Sequence, residues 1–210
     1  MAHILQQFPA VRARRRRRTA SLRSLSQENH LRADQLILPL FVHDQDTDQT
    51  IASMPGVARQ TIQRIVATCK QAVDAGIQAV ALFPVIPAEL KDPFGSEAIN
   101  PTGLVPRVLE ATRQACPELS IITDIALDPY TSHGQDGVLD DFGDIANDAT
   151  VEILCQQALC HAQAGAAVVA PSDMMDGRIG SIRSALESAN HSAVAILAYT
   201  AKYASSFYGP

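Results

Sequence analysis

No CxxC pair, no glycine-rich GxGxxG turn and no apolar run of membrane-spanning length occur in this chain of 210 residues. Each absence removes a class of function. Without paired cysteines, Cys69, Cys116, Cys155 and Cys160 read as reduced packing residues in helical stretches rather than disulfides or metal ligands. Cys155 and Cys160 stand five apart and share no helix face well. The missing GxGxxG weakens a dinucleotide-binding sheet. No apolar run reaches the roughly 18 residues that span a bilayer. The N-terminus lacks the charged-then-apolar order of a signal peptide, so a cytoplasmic location is the default expectation. A net charge of −5 offers no global case for nucleic acid. The balance of 47% hydrophobic and 19% charged residues suits one large domain, or part of one.

Residues 1–35 differ from the rest. Arg14 to Arg18 form a run of five arginines, with Arg12, Arg23 and Arg32 nearby. Such a block can bind nucleic acid or serve as a nuclear address. No aromatic residue interleaves the arginines as single-strand binding would want, so the reading is an N-terminal arm, solvated or docked on an acidic neighbouring subunit.

Residues 36–210 alternate regularly. Leu36 to Val42 is a short continuous apolar run, the mark of a strand buried on both faces. Residues 57–75 place Ile62, Ile65, Val66, Cys69, Ala72 and Val73 on one helical face, stopped by Gly76. A second strand follows at Ala79 to Val85 and a second helix at 104–115, then a third strand at Ser120 to Leu127. Asn147 or Asp148 caps the next helix, which Gly165 ends before strand four, Ala166 to Ala170. A helix at 178–190 precedes strand five, Ala193 to Thr200. This alternation means an α/β fold with a parallel sheet and right-handed crossovers. A doubly wound sheet and a TIM (β/α)8 barrel both fit, with about five of the barrel's eight βα units counted here.

A barrel puts its active site at the C-terminal ends of its strands. Asp124 and Asp128 stand there after strand three, Ser172 and Asp173 after strand four, and Lys202 with Tyr208 after strand five. Each alone reads equally as a helix cap or a loop hydrogen bond. The long loop from Asp124 through Asp144 is rich in carboxylates that suit a hard cation such as Mg²⁺. His133, with no cysteine nearby, does not make a zinc site.

Ala193 to Ala201 delivers a single lysine, Lys202, to the end of a buried strand. Desolvation there disfavours the ammonium and lowers its pKa. The neutral amine attacks a ketone to form an imine. The alternative is a strand-end lysine whose charge snorkels to water.

Four segments carry a resemblance: Leu36 to Val42, Thr123 to Gly134, Ala170 to Arg178 and Tyr199 to Pro210. Their long, ordered motifs resemble the porphobilinogen synthase (5-aminolevulinate dehydratase) family, from the arginine-rich arm to the last residue. The resemblance implies a TIM barrel that condenses two 5-aminolevulinate molecules into porphobilinogen with loss of two waters, early in tetrapyrrole and heme synthesis. It makes Lys202 one of the family's two Schiff-base lysines. It places Asp124 and Ser172 in the lining of the substrate site, makes Asp128 a substrate-binding residue with Ser172, and puts Tyr208 next to the lysine. It also implies a large homo-oligomer, often an octamer, in which the arm embraces a neighbouring subunit, with no nucleic-acid or membrane partner.

Two departures qualify it. Zinc-dependent members carry three cysteines where this sequence has Ala126, Asp128 and Asp136. This chain resembles the zinc-independent, aspartate-bearing type, with no metal at the catalytic site and Mg²⁺ as an activator from a separate one. The family's second Schiff-base lysine, its carboxylate-binding arginine and serine region and its activating Mg²⁺ site lie beyond Pro210. The expectation is a truncated or partial member whose 210 residues alone turn over little. Two alternatives stay open: an inactive subunit that only associates with intact ones, and another class I Schiff-base lyase.

Overall fold

A computed structural model describes residues 8–201, and the chain divides into two units after Arg32. In the first unit a 3-10 segment, Ala13–Arg17, precedes the short helix α1, Ala20–Leu25. Thr19 caps α1, its hydroxyl accepting from the Leu22 amide at 3.2 Å. Arg14 to Arg18 are all exposed, as are Leu22, Leu25 and Leu31.

In the second unit β1 (Ile37–His43) is followed by β2 (Gln49–Thr50), β3 (Ala58–Gln60), α2 (Ile62–Asp74) and β4 (Ala79–Val85). Then come α3 (Leu104–Ala115), β5 (Ser120–Ile125), α4 (Asn147–Ala164), β6 (Val168–Pro171), α5 (Arg178–Ser188) and β7 (Ala195–Ile196). The sheet order is β2-β3-β1-β4-β5-β6-β7. Every pairing is parallel except β2 with β3. Strands β1, β4, β5, β6 and β7 are the five that the alternation predicts, each joined to the next by a stretch containing one helix. Among the described residues no helix is long and apolar enough to cross a membrane.

Side chains alternate between two faces of these strands. One face carries Leu40, Val42, Val80, Leu82, Ile121, Ile125 and Val169, which join Ile65, Leu109, Leu154, Ile182 and Leu186 from the helices in the main core. The other, inner face carries Ala81, Ile122 and Ala170, with Phe83 and Val168 against them. Pro39, Ala81, Ile122, Val168 and Ala195 form one lateral row in continuous register. Layers of inward side chains from successive parallel strands are how a (β/α)8 barrel fills its centre.

Several boundaries differ from the sequence reading, each for a local reason. The stretch 57–75 is not one helix: Ala58–Gln60 pairs with β1, and Thr61 caps α2 by accepting from the Arg64 amide at 3.1 Å. The third strand ends at Ile125 instead of Leu127, because the Leu127 carbonyl accepts from the amides of Tyr130 and Thr131 and turns the chain. Ala146, not Asn147 or Asp148, is the N-cap of α4. Strand β7 is only Ala195–Ile196, although the amides of Leu197 and Tyr199 still bond the Val169 and Pro171 carbonyls on one side. Among the described residues it lies at an edge of the sheet. Cys116 is the C-cap of α3 rather than a residue within it, and all four cysteines are free. Gly165 does end α4, at φ 104°, where its own amide and that of Ala166 close the last turn on the Ala162 and His161 carbonyls.

Candidate functional site

The inner face carries a polar row near the strands' C-terminal ends. Arg59 of β3 pairs with Phe41 of β1, and Phe41 with Phe83 of β4. Asp124 of β5 stands one step beyond the Leu82–Thr123 pair, level with Phe83, and pairs in turn with Ala170 of β6. In-register neighbours of a parallel sheet share a face. The rings of Phe41 and Phe83 meet at 5.7 Å between centroids, tilted by 38°. A cation, two tilted aromatic rings in contact and a carboxylate thus stand side by side near the strands' C-terminal ends.

Around this row lies a cavity of about 440 Å³. Asp124, Asp128, Arg59 and Lys91 supply its charges, and Phe41, Phe83, Ile51, Met54 and Ile86 are among its apolar walls. A mostly apolar hollow with a few convergent charges is the usual form of a small-molecule site. Asp124 is half-buried, and its charge is felt by two phenols. Burial first, and Asp124 second, push the Tyr130 hydroxyl above its ordinary range. The same two causes in the same order raise Tyr199. Both phenols therefore stay protonated at neutral pH.

The loop after β5 is pinned at its base. The Ser132 amide donates to the Asp92 carbonyl at 2.9 Å, and Thr131 Oγ1 donates to the Gln135 carbonyl at 2.9 Å. His133 Nδ1 accepts from the Gln135 amide at 3.2 Å, so its Nε2 donates to the Pro93 carbonyl at 3.1 Å. His133 is thus a staple between two loops. At the acidic end, Asp140 Oδ1 accepts from the amides of Phe142 and Asp144, both at 2.9 Å, closing a turn.

The loop after β6 is held at several points, one of them the Met175 carbonyl, which accepts from Arg178 Nη1 at 2.8 Å. Asp173, buried, accepts from the Met175 amide at 2.8 Å and forms an ion pair with Arg178 at 3.1 Å. Asn147 bonds both backbone groups of Asp176, accepting from its amide at 2.8 Å and donating to its carbonyl at 3.3 Å. That pairing gives Asn147 a task other than capping. Ser172, half-buried at the head of this loop, donates its amide to the Ile125 carbonyl at 3.2 Å.

Of the residues singled out from the sequence, Asp124 and Asp128 line the cavity together. Ser172 stands at the neighbouring strand end and is not in that lining. Lys202 and Tyr208 lie outside the described residues. Arg59 and Lys91 were missed: Arg59 falls in the stretch read as helix, and Lys91 in a loop without a motif. Inward alternation along β1 and β4, continued to β3, is the signal that finds Arg59.

The three positions where zinc-dependent members carry cysteine have a definite local structure. Ala126 presents a buried methyl, and its carbonyl accepts from Gln157 Nε2 at 3.3 Å. Asp128 is exposed and Asp136 half-buried. Two carboxylates and a methyl do not fit a thiolate zinc site. Among the described residues no group of three His, Cys, Asp or Glu is placed to hold a metal ion.

Comparison with known proteins brings these features together. A family model described as delta-aminolevulinic acid dehydratase matches residues 10–210. The chloroplastic delta-aminolevulinic acid dehydratase of Physcomitrium patens is 50% identical over 201 residues, covering 95% of this chain and 46% of its own length. The enzyme of the same name from Bradyrhizobium diazoefficiens is 47% identical over 202 residues, covering 96% of this chain and 57% of its own. Among solved structures, delta-aminolevulinic acid dehydratase (porphobilinogen synthase) from Toxoplasma gondii ME49, in complex with the reaction product porphobilinogen, superposes with a TM-score of 0.92 at 47% identity. That match covers 95% of this chain and 57% of the other. The chain spans about half the length of the curated relatives it matches.

Proposed function

The chain belongs to the delta-aminolevulinic acid dehydratase family, and on that premise we propose that the protein carrying it condenses two molecules of 5-aminolevulinate into porphobilinogen. The observation that carries this reading is the inward row ending in Asp124, set at the strand ends where a barrel does its chemistry. Lys202 attacks the ketone of one substrate, and water leaves as the imine forms. The second imine forms on the lysine that the family resemblance places beyond residue 210. The carbon–carbon and carbon–nitrogen bonds then form between two substrates held side by side, where positioning supplies much of the rate. Asp124 exchanges protons with the substrate amine and the carbons being joined. Tyr130 and Tyr199 keep their protons and do not serve as bases.

Ser172, Tyr208 and Asp128 bind substrate, Asp128 from the lining of the same cavity as Asp124. No step runs through zinc, since the donor set at Ala126, Asp128 and Asp136 does not fit it; Mg²⁺ acts from a site elsewhere in the protein. The arm of residues 1–35, with its exposed arginines and leucines, docks on a neighbouring copy in a homo-oligomer, and the protein works in the cytoplasm. The test is reduction of the intact protein with borohydride in the presence of labelled 5-aminolevulinate, followed by peptide mapping. Label on Lys202 is the expected result. An unmodified Lys202 refutes the assignment.

A further inference from the structure

The cavity is dipolar, and its positive end is unexplained by the chemistry above. Most arginines of the second unit have a carboxylate: Arg64 lies by Asp48, Arg107 by Asp44, Arg178 by Asp173 and Arg183 by Glu187. Arg59 and Lys91, like Arg113 and Lys70, have none among the described residues, and what sets the two apart is their place. Among the described residues neither side chain forms an ion pair or a hydrogen bond, yet both line the hollow that holds Asp124 and Asp128. Asp124 and Asp128 are engaged with other groups of the protein. Arg59 and Lys91 thus form a positive end to this mouth opposite the two carboxylates, in a chain whose overall charge is −5.

Register fixes the order of charges. Arg59 and Asp124 are three strand spacings apart, with Phe41 and Phe83 between them. At ~4.8 Å per spacing the span is about 14 Å, which the long Arg59 and Lys91 side chains shorten by reaching inward. A ligand matching this row has an anionic end, an apolar middle and an amine or ammonium end. We propose that Arg59 and Lys91 form a docking rim for the carboxylate of a small ω-amino acid, which they capture first and align so that its amine end faces Asp124. This rests on the reading of the protein as an aminolevulinate-condensing enzyme and adds a binding element at the cavity mouth to it. A guanidinium and an ammonium facing the same opening raise the local concentration of a carboxylate and speed its entry, an effect that salt screens.

The experiment uses the intact protein and compares 5-aminolevulinate with its methyl ester, which lacks the carboxylate charge. In the double variant Arg59→Gln, Lys91→Met, kcat/KM for the acid falls about tenfold, carried by KM, as expected for loss of two charge-assisted contacts at a partly solvated site. The ester's kcat/KM stays within about twofold, and the decline of kcat/KM with added salt flattens. Arg59→Lys retains most of the acid's rate because the charge is kept. Arg64→Gln, at a residue outside the cavity, is the control. If the wild type turns over 5-aminolevulinate but the double variant matches Arg64→Gln, the docking rim is refuted and the enzymatic reading survives. If acid and ester fall equally, the two residues act through structure and the proposal also fails. If the wild type neither traps nor converts 5-aminolevulinate, both readings fall together.

Discussion

Replacing Arg178 with methionine tests whether the loop carrying Ser172 is held by charge. The Asp173 carboxylate has no solvent exposure, and Arg178 keeps only 17% of its side chain exposed. Their atoms approach to 3.1 Å, yet the pair lacks the alignment of a hydrogen bond, so the attraction is mainly Coulombic. Methionine fills the aliphatic volume and removes the charge, along with the hydrogen bond that Arg178 Nη1 donates to the Met175 carbonyl at 2.8 Å. What remains is a buried carboxylate satisfied by one amide, that of Met175. Leaving one member of a buried pair uncompensated costs about 3–5 kcal/mol. Removing both charges costs less, because no stranded ion is left: the double variant Asp173→Asn, Arg178→Met should lie well above the single one.

The pH dependence separates this from a packing effect. Burial already lifts the Asp173 carboxyl above its ordinary 3.8, and Arg178 is among the groups that oppose the rise. An acid whose folded pKa exceeds its unfolded one binds protons more tightly when folded, so acidification through that folded value toward 3.8 adds stability. Without Arg178 the folded value climbs further and the window opens at higher pH. Urea unfolding of the intact protein at a series of pH values should show Arg178→Met closing its gap to wild type as pH falls. A loss below about 1 kcal/mol, or one that does not vary with pH, would refute the reasoning.

His161 works with the opposite sign. It is buried within α4, and burial lowers its pKa from 6.5 to about 3. The unfolded chain takes up a proton below 6.5 that the folded one refuses, so stability should fall between pH 6.5 and 3, by at most about 1.4 kcal/mol per pH unit. His161→Met removes that component, and an unchanged slope in acid unfolding would count against it. Treating the intact protein with the zinc chelator 1,10-phenanthroline should leave porphobilinogen formation within about twofold, since Ala126 replaces one thiolate position and carboxylates the other two. Stoichiometric bound zinc, with activity lost on its removal and regained on its return, would overturn that.

What could be read in the residues alone follows from where periodicity is strict. Strands β1, β4 and β5 run apolar on both faces because helices cover one and inward packing the other, so their existence and order were legible. Short or one-sided pairing was not. Ala58–Gln60 carries no period of its own and becomes a strand only because β1 offers an edge, which also aims Arg59 at the cavity. Asn147 has a residue type that suits capping, but its amide matches both backbone groups of Asp176, and two bonds to a loop outweigh one to a helix end. Asp124 was found at a strand end from sequence, whereas its level with Phe83, Phe41 and Arg59 depends on register between strands distant in the chain. A residue's place along its strand is local information; its neighbours across the sheet are not, and the charges facing a substrate are set by the second.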